Sequence, residues 1–333
     1  MTTEKIFDEA LKNILSEDEI LKDEPMKHHT TFRVGGPAEY YLRPKKEQVA
    51  EVLRLCLTYQ KEYLIIGNGS NLLVSDKGIS GVVIEIGKQM DEITVDGTTI
   101  YAQAGAMLSK TAHAALEAGL TGMEFAAGIP GCVGGAVVMN AGAYGGEMKD
   151  ILKSVTVLTA DGQEKELTPG ELDMSYRHSS ITEEHYMVLG VTIALEAGSQ
   201  EQIRAKMEEL KEKRVEKQPL EYPSAGSTFK RPEGYFAGKL IMDAGLRGFQ
   251  VGGAAVSEKH CGFVINKEKA TASDVYQLIQ EVQQEVYRQF GVKLETEVKM
   301  VGISDEISHC NRNVRSRKRY GSQDHGRHGI LLC

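Results

Sequence analysis

Residues 122–146 read GMEFAAGIPGCVGGAVVMNAGAYGG, with glycine at 128, 131, 134 and 135 and again at 142, 145 and 146. A helix does not carry that density, because each glycine costs about 1 kcal/mol against alanine. A linker does not fit either, since Ile129, Val133, Val137, Val138 and Met139 call for burial. Buried, glycine-dense backbone implies main chain held close to something bulky. Successive amide N–H groups in such a segment form a nest for an anion, so a phosphate-bearing ligand is one reading. Tight backbone packing inside an all-β core is the other.

Working outward, a second loop has related chemistry. The run Tyr-Leu-Ile-Ile at 63–66 predicts a short strand that feeds Gly67-Asn68-Gly69-Ser70-Asn71. A strand opening into small residues presents amides to phosphate. The loop is not GxGxxG, and no acidic residue closes a βαβ unit about 20 residues later, so a Rossmann site is not supported, and taken alone the loop also reads as a plain turn. The 333 residues are 41% hydrophobic and 26% charged, a globular composition with room for two or three domains. A net charge of −8 argues against general nucleic-acid binding. The five cysteines (56, 132, 261, 310, 333) form no CxxC pair, and no signal peptide is evident, so free thiols in a reducing cytoplasm are expected. No apolar run approaches the roughly 20 residues of a membrane span. The histidines lack metal-ligand spacing, so no metal site is expected.

Along the chain, apolar spacing predicts an amphipathic helix over 4–21, then helices over 47–59, 108–119, 199–218 and 271–290. Thr271 and Asp274 make a capping box for the last of these, and Gly291 stops it. Strands are predicted at 39–42, 82–86, 93–95, 100–104, 154–159, 187–195, 251–256, 263–266 and 294–301. Asp161-Gly162 signals a hairpin turn. Lys217-Gln218-Pro219 is the linker candidate. The pattern is α+β and not doubly wound. From Ser304 onward apolar content falls and arginines cluster, which reads as a solvated, disordered tail.

Several motifs occur in a fixed order: Thr30-Thr31-Phe32-Arg33-Val34-Gly35-Gly36, the 67–71 loop, Gly128-Ile129-Pro130-Gly131 through Asn140-Ala141-Gly142-Ala143-Tyr144-Gly145, Ser175-Tyr176-Arg177, Ser224-Ala225-Gly226-Ser227-Thr228-Phe229-Lys230, and the closing 295–299 stretch. Each is weak alone. As an ordered set over residues 26–302 they resemble the UDP-N-acetylenolpyruvoylglucosamine reductase family. The compact stretch between Arg177 and Ser227 looks like the shorter subclass, without an inserted substrate-covering loop. Cys132 departs from the family, where a residue such as Thr is expected.

That resemblance implies an FAD-binding domain of the vanillyl-alcohol-oxidase type at 31–197, preceded by a helical segment (1–30) and followed by a smaller α+β substrate domain at 198–302. A tail follows at 303–333. Noncovalent FAD would meet Gly67, Asn68, Gly69, Ser70 and Asn71 from one loop. From the other it would meet Gly128, Ile129, Pro130, Gly131, Gly134, Gly135, Asn140 and Gly142. NADPH would reduce the FAD, and reduced flavin would pass hydride to the enolpyruvyl group of a UDP-sugar. By the same resemblance Arg177 would stabilise the charge that develops at the substrate carboxylate. Ser227 would donate the proton, and Glu297 would act as protonated acid or orienting partner. Taken singly, Arg177 is also a plain surface ion-pair residue, Ser227 a turn hydroxyl, and Glu297 the solvent face of an edge strand. Tyr176, Arg214, Lys217 and Lys230 are candidates for the UDP-sugar. An oxygen-using FAD oxidase and a non-catalytic nucleotide-binding regulator are the competing readings.

The purified protein is expected to be yellow, with flavin bands in its visible spectrum. A colourless preparation that cannot take up FAD would overturn the cofactor reading.

Overall fold

The structure is a computed structural model and describes residues 3–303 and 330–332. Two five-stranded sheets build the larger part. In the first, Ile20–Pro25 runs antiparallel to Pro37–Leu42. Ile79–Glu85 and then Tyr63–Ile66 follow in parallel. Its inner strands read as nearly unbroken apolar runs (Tyr-Leu-Ile-Ile, Val-Val-Ile) because both faces are covered. The second sheet is antiparallel throughout, in the order Glu164–Leu167, Leu152–Leu158, Met187–Ala194, Thr99–Gln103, Ile93–Asp96. Thr99–Gln103 alternates buried and half-buried residues, as a strand with one core face does. One apolar core runs between these layers, from Phe7 to Met207.

The smaller part packs the helices Ala237–Asp243 and Ala272–Phe290 around a three-stranded sheet of Gln250–Val251, Ala254–Val256 and Val264–Asn266. Thr271 caps the long helix by accepting the Asp274 N–H, and Gly291 ends it in the left-handed region at φ 67°. The helix N-terminus is also held from the larger part. The Asp76 carboxylate accepts the N–H groups of Ala272 (2.8 Å) and Ser273 (2.9 Å), where the helix dipole favours an anion. Phe32, Val34 and Leu73 belong to the core of this smaller part, so the junction is packed.

Four differences from the sequence reading have physical causes. The helix expected over 4–21 ends at Lys12, and Ile20–Pro25 is a strand. Ser16 breaks the run by donating its N–H to Glu19, and Ile20 then pairs with Leu42. The first 30 residues are therefore not simply helical: Phe7 packs edge-on against Tyr40 at 5.3 Å inside the main core. The single strand expected at 251–256 is a hairpin turning at Gly252-Gly253. The strand expected over 294–301 changes partner midway. Thr296 bridges Phe229, while Lys299–Val301 runs parallel to Leu72–Val74. The tail expected to be disordered lies on residues outside the described set, except Ile330–Leu332. Those three form a strand against the edge of Tyr63–Ile66, whose main-chain groups would otherwise lack a partner there.

Phe7→Ala is expected to destabilise the protein by about 3–5 kcal/mol. Ile6→Ala, on the exposed side of the same helix, is expected to stay within about 0.5 kcal/mol. Denaturant midpoints compare the two, and equal small shifts would mean that the helix is not part of the core.

Candidate cofactor and substrate site

The two glycine-rich segments meet. The strand Tyr63–Ile66 ends at Gly67, and a Cβ added there would lie 2.3 Å from Cys132 Sγ. Gly69 sits at φ 61°, where a Cβ would lie 1.9 Å from the His29 carbonyl oxygen. No side chain is tolerated at either position. Across the gap, a Cβ on Gly131 would stand 3.5 Å from Ser70 Oγ, and the Arg214 guanidinium lies against Gly128. Cys132 is buried at the start of the helix Val133–Val138, which carries Gly134 and Gly135 although the glycine density argued against a helix here; tight packing on Ala104 is what the missing side chain at Gly134 allows. Burial pushes its thiol above the usual value, and the amides of Gly135 and Asn68 pull the other way.

A cavity of about 630 Å³ opens between these segments and the smaller part. Its wall includes Thr31, Tyr41, Gly67, Asn68, Ile129, Pro130, Gly142, Arg177, Arg214, Ser227 and Glu297. Thr31 Oγ1 is buried in this wall with no partner among the described residues, an orphan hydroxyl of the kind that a bound polar ligand satisfies. Backbone close enough to admit a flat, extended dinucleotide, together with an unmet hydroxyl, fits FAD.

Other candidate cofactor residues shape the wall from behind. A Cβ on Gly134 would strike Ala104 at 2.8 Å, so this glycine serves packing. Asn140, expected at the cofactor, is fully buried and its amide is used up inside the protein. It donates to Glu147 Oε2 (2.6 Å) and the Ser175 carbonyl (3.0 Å), and accepts the Lys149 N–H (3.0 Å). It thereby anchors the turn that carries Arg177. Asn71 donates from Nδ2 to the Glu297 carbonyl at 3.0 Å, tying the 67–71 loop to the closing segment.

Arg177, Ser227 and Glu297 come together as expected. Arg177 sits at φ 55°, a strained conformation for a side chain of this size. Its Nε donates to Glu297 Oε1 at 2.8 Å and its Nη2 to the Gly142 carbonyl at 3.3 Å. The Tyr176 ring lies 5.1 Å from the guanidinium carbon. Burial holds the Glu297 carboxyl above the ordinary range, opposed by Arg177. Ser227 follows Gly226 (φ 72°), and its hydroxyl has no protein partner among the described residues.

Ser227 also borders a second cavity of about 370 Å³, shared with Tyr176, Arg177 and Glu297. Arg231, Lys239, Arg247 and Lys259 line it. The sequence reading missed these four cations, which are scattered over 29 positions without a motif. Of those it named, Arg214 faces the first cavity, whereas Lys217 is exposed and lines neither. Lys230 turns away to pair with Glu295 at 3.5 Å. No cluster of metal-binding side chains occurs among the described residues.

The UDP-N-acetylenolpyruvoylglucosamine reductase of Agathobacter rectalis is 60% identical to this chain over 295 residues, which covers 85% of this chain and 94% of the relative. The chain belongs to the UDP-N-acetylenolpyruvoylglucosamine reductase family. The Clostridium perfringens (strain SM101) reductase is 53% identical over 297 residues, covering 89% and 97%. Residues 218–301 match the family's C-terminal domain and residues 38–168 match an FAD binding domain. The crystal structure of the Thermus caldophilus reductase superposes with a TM-score of 0.73 at 36% identity, over 83% of this chain and 97% of that one. The reductase family therefore accounts for both glycine segments: they belong to an FAD-binding domain. No helix among the described residues is long and apolar enough to cross a membrane.

Gly67→Ala is expected to abolish flavin retention through gel filtration, because the new methyl collides with Cys132 Sγ. Adding Cys132→Ala is expected to recover it. Full retention by the single variant would show that the two loops do not define the cofactor wall.

Proposed function

We propose that this reductase adds two hydrogens across the enolpyruvyl double bond of UDP-N-acetylglucosamine enolpyruvate, giving UDP-N-acetylmuramate for peptidoglycan precursor synthesis. The observation that carries the reading is the Arg177–Glu297 pair at 2.8 Å, set with Ser227 on the wall between a glycine-lined cavity and a cation-lined one. Held by the 67–71 loop and the 128–135 segment, FAD would supply hydride chemistry, relaying reducing equivalents from NADPH to the β-carbon of the double bond.

The chain's own residues handle the charge and the proton. Hydride addition drives negative charge toward the substrate carboxylate. Arg177 is a permanent planar cation with Nε held by Glu297 and Nη2 by Gly142, which leaves Nη1 free of protein partners among the described residues to meet that carboxylate. Glu297 acts here as orienting partner, because it accepts from Arg177 and its backbone is fixed on both sides. Its N–H donates to the Thr228 carbonyl, and its own carbonyl accepts from Asn71. The Ser227 hydroxyl gives its proton to the α-carbon. A serine is a weak acid, so its contribution is positional: the proton stands where a basic carbanion forms. Together the hydride and the proton convert C=C to a saturated ether.

The diphosphate of the sugar nucleotide fits the second cavity, among Arg231, Lys239, Arg247 and Lys259. Arg214, against Gly128, adds positive charge where the cofactor segment meets that site. Tyr176 packs on Arg177 and accepts the Arg231 N–H at 3.4 Å, linking catalytic turn to substrate wall. Lys217 and Lys230 have no part in this scheme. Residues 31–197 serve the cofactor and 198–302 the sugar, with residues 1–30 packed onto the cofactor part. The partner is a small UDP-sugar, with no nucleic acid and no membrane insertion. The reaction belongs in the cytoplasm, where NADPH is available and the buried thiols of Cys56, Cys132 and Cys261 stay reduced.

Ser227→Ala is expected to leave flavin reduction by NADPH intact while slowing sugar reduction by about 10²–10⁴-fold. Stopped-flow traces with normal flavin reoxidation by the sugar, and normal product yield, would remove Ser227 from the mechanism.

A further inference from the structure

Arg177 stands at the tip of a tight turn. Ser175 N–H donates to the His178 carbonyl at 3.1 Å, and His178 N–H donates back to the Ser175 carbonyl at 3.2 Å, so Tyr176 and Arg177 form the tip. The left-handed backbone of Arg177, at φ 55°, is not one that a long side chain favours. The feet of the turn must therefore hold it. Asn140 holds the first foot through the Ser175 carbonyl. The second foot is Ser179, a buried residue whose Oγ donates to the Val138 carbonyl at 2.6 Å.

That bond completes the end of a helix. The last four carbonyls of a helix have no partner inside it. In Val133–Val138 three of them are met by the chain that follows. Gly135 accepts the Met139 N–H (3.3 Å), Ala136 the Ala141 N–H (2.8 Å) and Val137 the Asn140 N–H (3.1 Å). The fourth, Val138, is met by Ser179 from 41 positions away. The same helix begins beside Cys132, under Gly67 of the cofactor wall. It therefore runs from that wall to the turn that carries Arg177, and Ser179 makes the join at the far end. Ser179 lines neither cavity, so any effect it has on the reaction passes through the turn.

We propose that Ser179 is a positioning residue for the reductase reaction. Its bond to Val138 keeps Arg177 in the left-handed conformation that points the guanidinium at the substrate carboxylate. This rests on the role given to Arg177 above. Without the hydroxyl, the Val138 carbonyl is buried and unmet, and the turn is held at one foot only.

The test is a double-mutant cycle on the flavin-loaded full chain, followed by stopped flow with NADPH as reductant and the enolpyruvyl sugar as oxidant. Ser179→Ala is expected to keep the flavin spectrum and the rate of reduction by NADPH. Reoxidation by the sugar is expected to slow about tenfold to hundredfold, with the loss in kcat more than in KM. In an Arg177→Ala background the same change is expected to alter reoxidation by less than about twofold, because the residue it serves is gone. Equal losses in the two backgrounds would mark Ser179 as a plain helix cap and overturn the proposal. An unchanged rate in Ser179→Ala would overturn it too. Should Ser179→Ala shed its FAD, Ser179→Cys takes its place: a thiol of similar shape is a weak donor, expected to slow reoxidation about threefold with Arg177 present and not at all without it. Reduced wild-type flavin that the sugar does not reoxidise would instead remove the reaction assigned to Arg177, and the proposal with it.

Discussion

The ion pair between Arg177 and Glu297 joins chain segments 120 residues apart, and the geometry around it leaves little freedom. Arg177 reaches its position only through a left-handed backbone conformation, which a non-glycine residue adopts at a cost of order 1–3 kcal/mol. Something must hold it there. Asn140 does so by gripping the Ser175 carbonyl, and the Gly142 carbonyl does so by accepting Nη2. On the other side, Glu297 is fixed by Thr228 and Asn71. A buried carboxylate would neutralise itself if unpaired, and Arg177 is what opposes that tendency. The pair is thus the point at which the walls of the two cavities become one surface.

The closing segment explains why a single pair suffices. Thr296 bridges Phe229 in the smaller part, and three residues later Lys299–Val301 pairs with Leu72–Val74 in the larger one. The chain crosses the junction with Glu297 at the crossing. Asp76, which accepts from the N-terminus of the helix Ala272–Phe290, and the shared core of Phe32, Val34 and Leu73 make the same junction rigid from a second direction. Residues that act on one substrate from two parts of a fold need such stiffness, because a misplacement of about 1 Å costs on the order of 10²-fold in rate.

What the sequence disclosed, and what it hid, follows from the range of the interactions. Local signals were readable: the Thr271 cap, the Gly291 stop, the strand at 100–104 and the glycine loops all depend on residues within a few positions. Ile20–Pro25 was hidden because its partner is Pro37–Leu42, and nothing nearby distinguishes its apolar residues from the end of a helix. Asn140 lies inside a recognisable motif, yet motif membership does not tell whether an amide faces a ligand or the protein. The four cations of the second cavity are a product of folding alone. Arg177, Ser227 and Glu297 became legible only as an ordered set, since each has an ordinary structural reading by itself.

Cys132 shows how a buried side chain in one glycine segment makes a demand on the other. Its side chain lies under Gly67, so the thiol is part of the support for the 67–71 loop and not of the surface offered to the cofactor. A sulfur is larger than a hydroxyl oxygen, and the absence of any side chain at Gly67 is what makes space for it. With Cys at 132, glycine at 67 is required by packing before any ligand is considered. Two glycine-rich segments that look like parallel solutions to phosphate binding are in this chain dependent on each other, and neither could drift in sequence without the other.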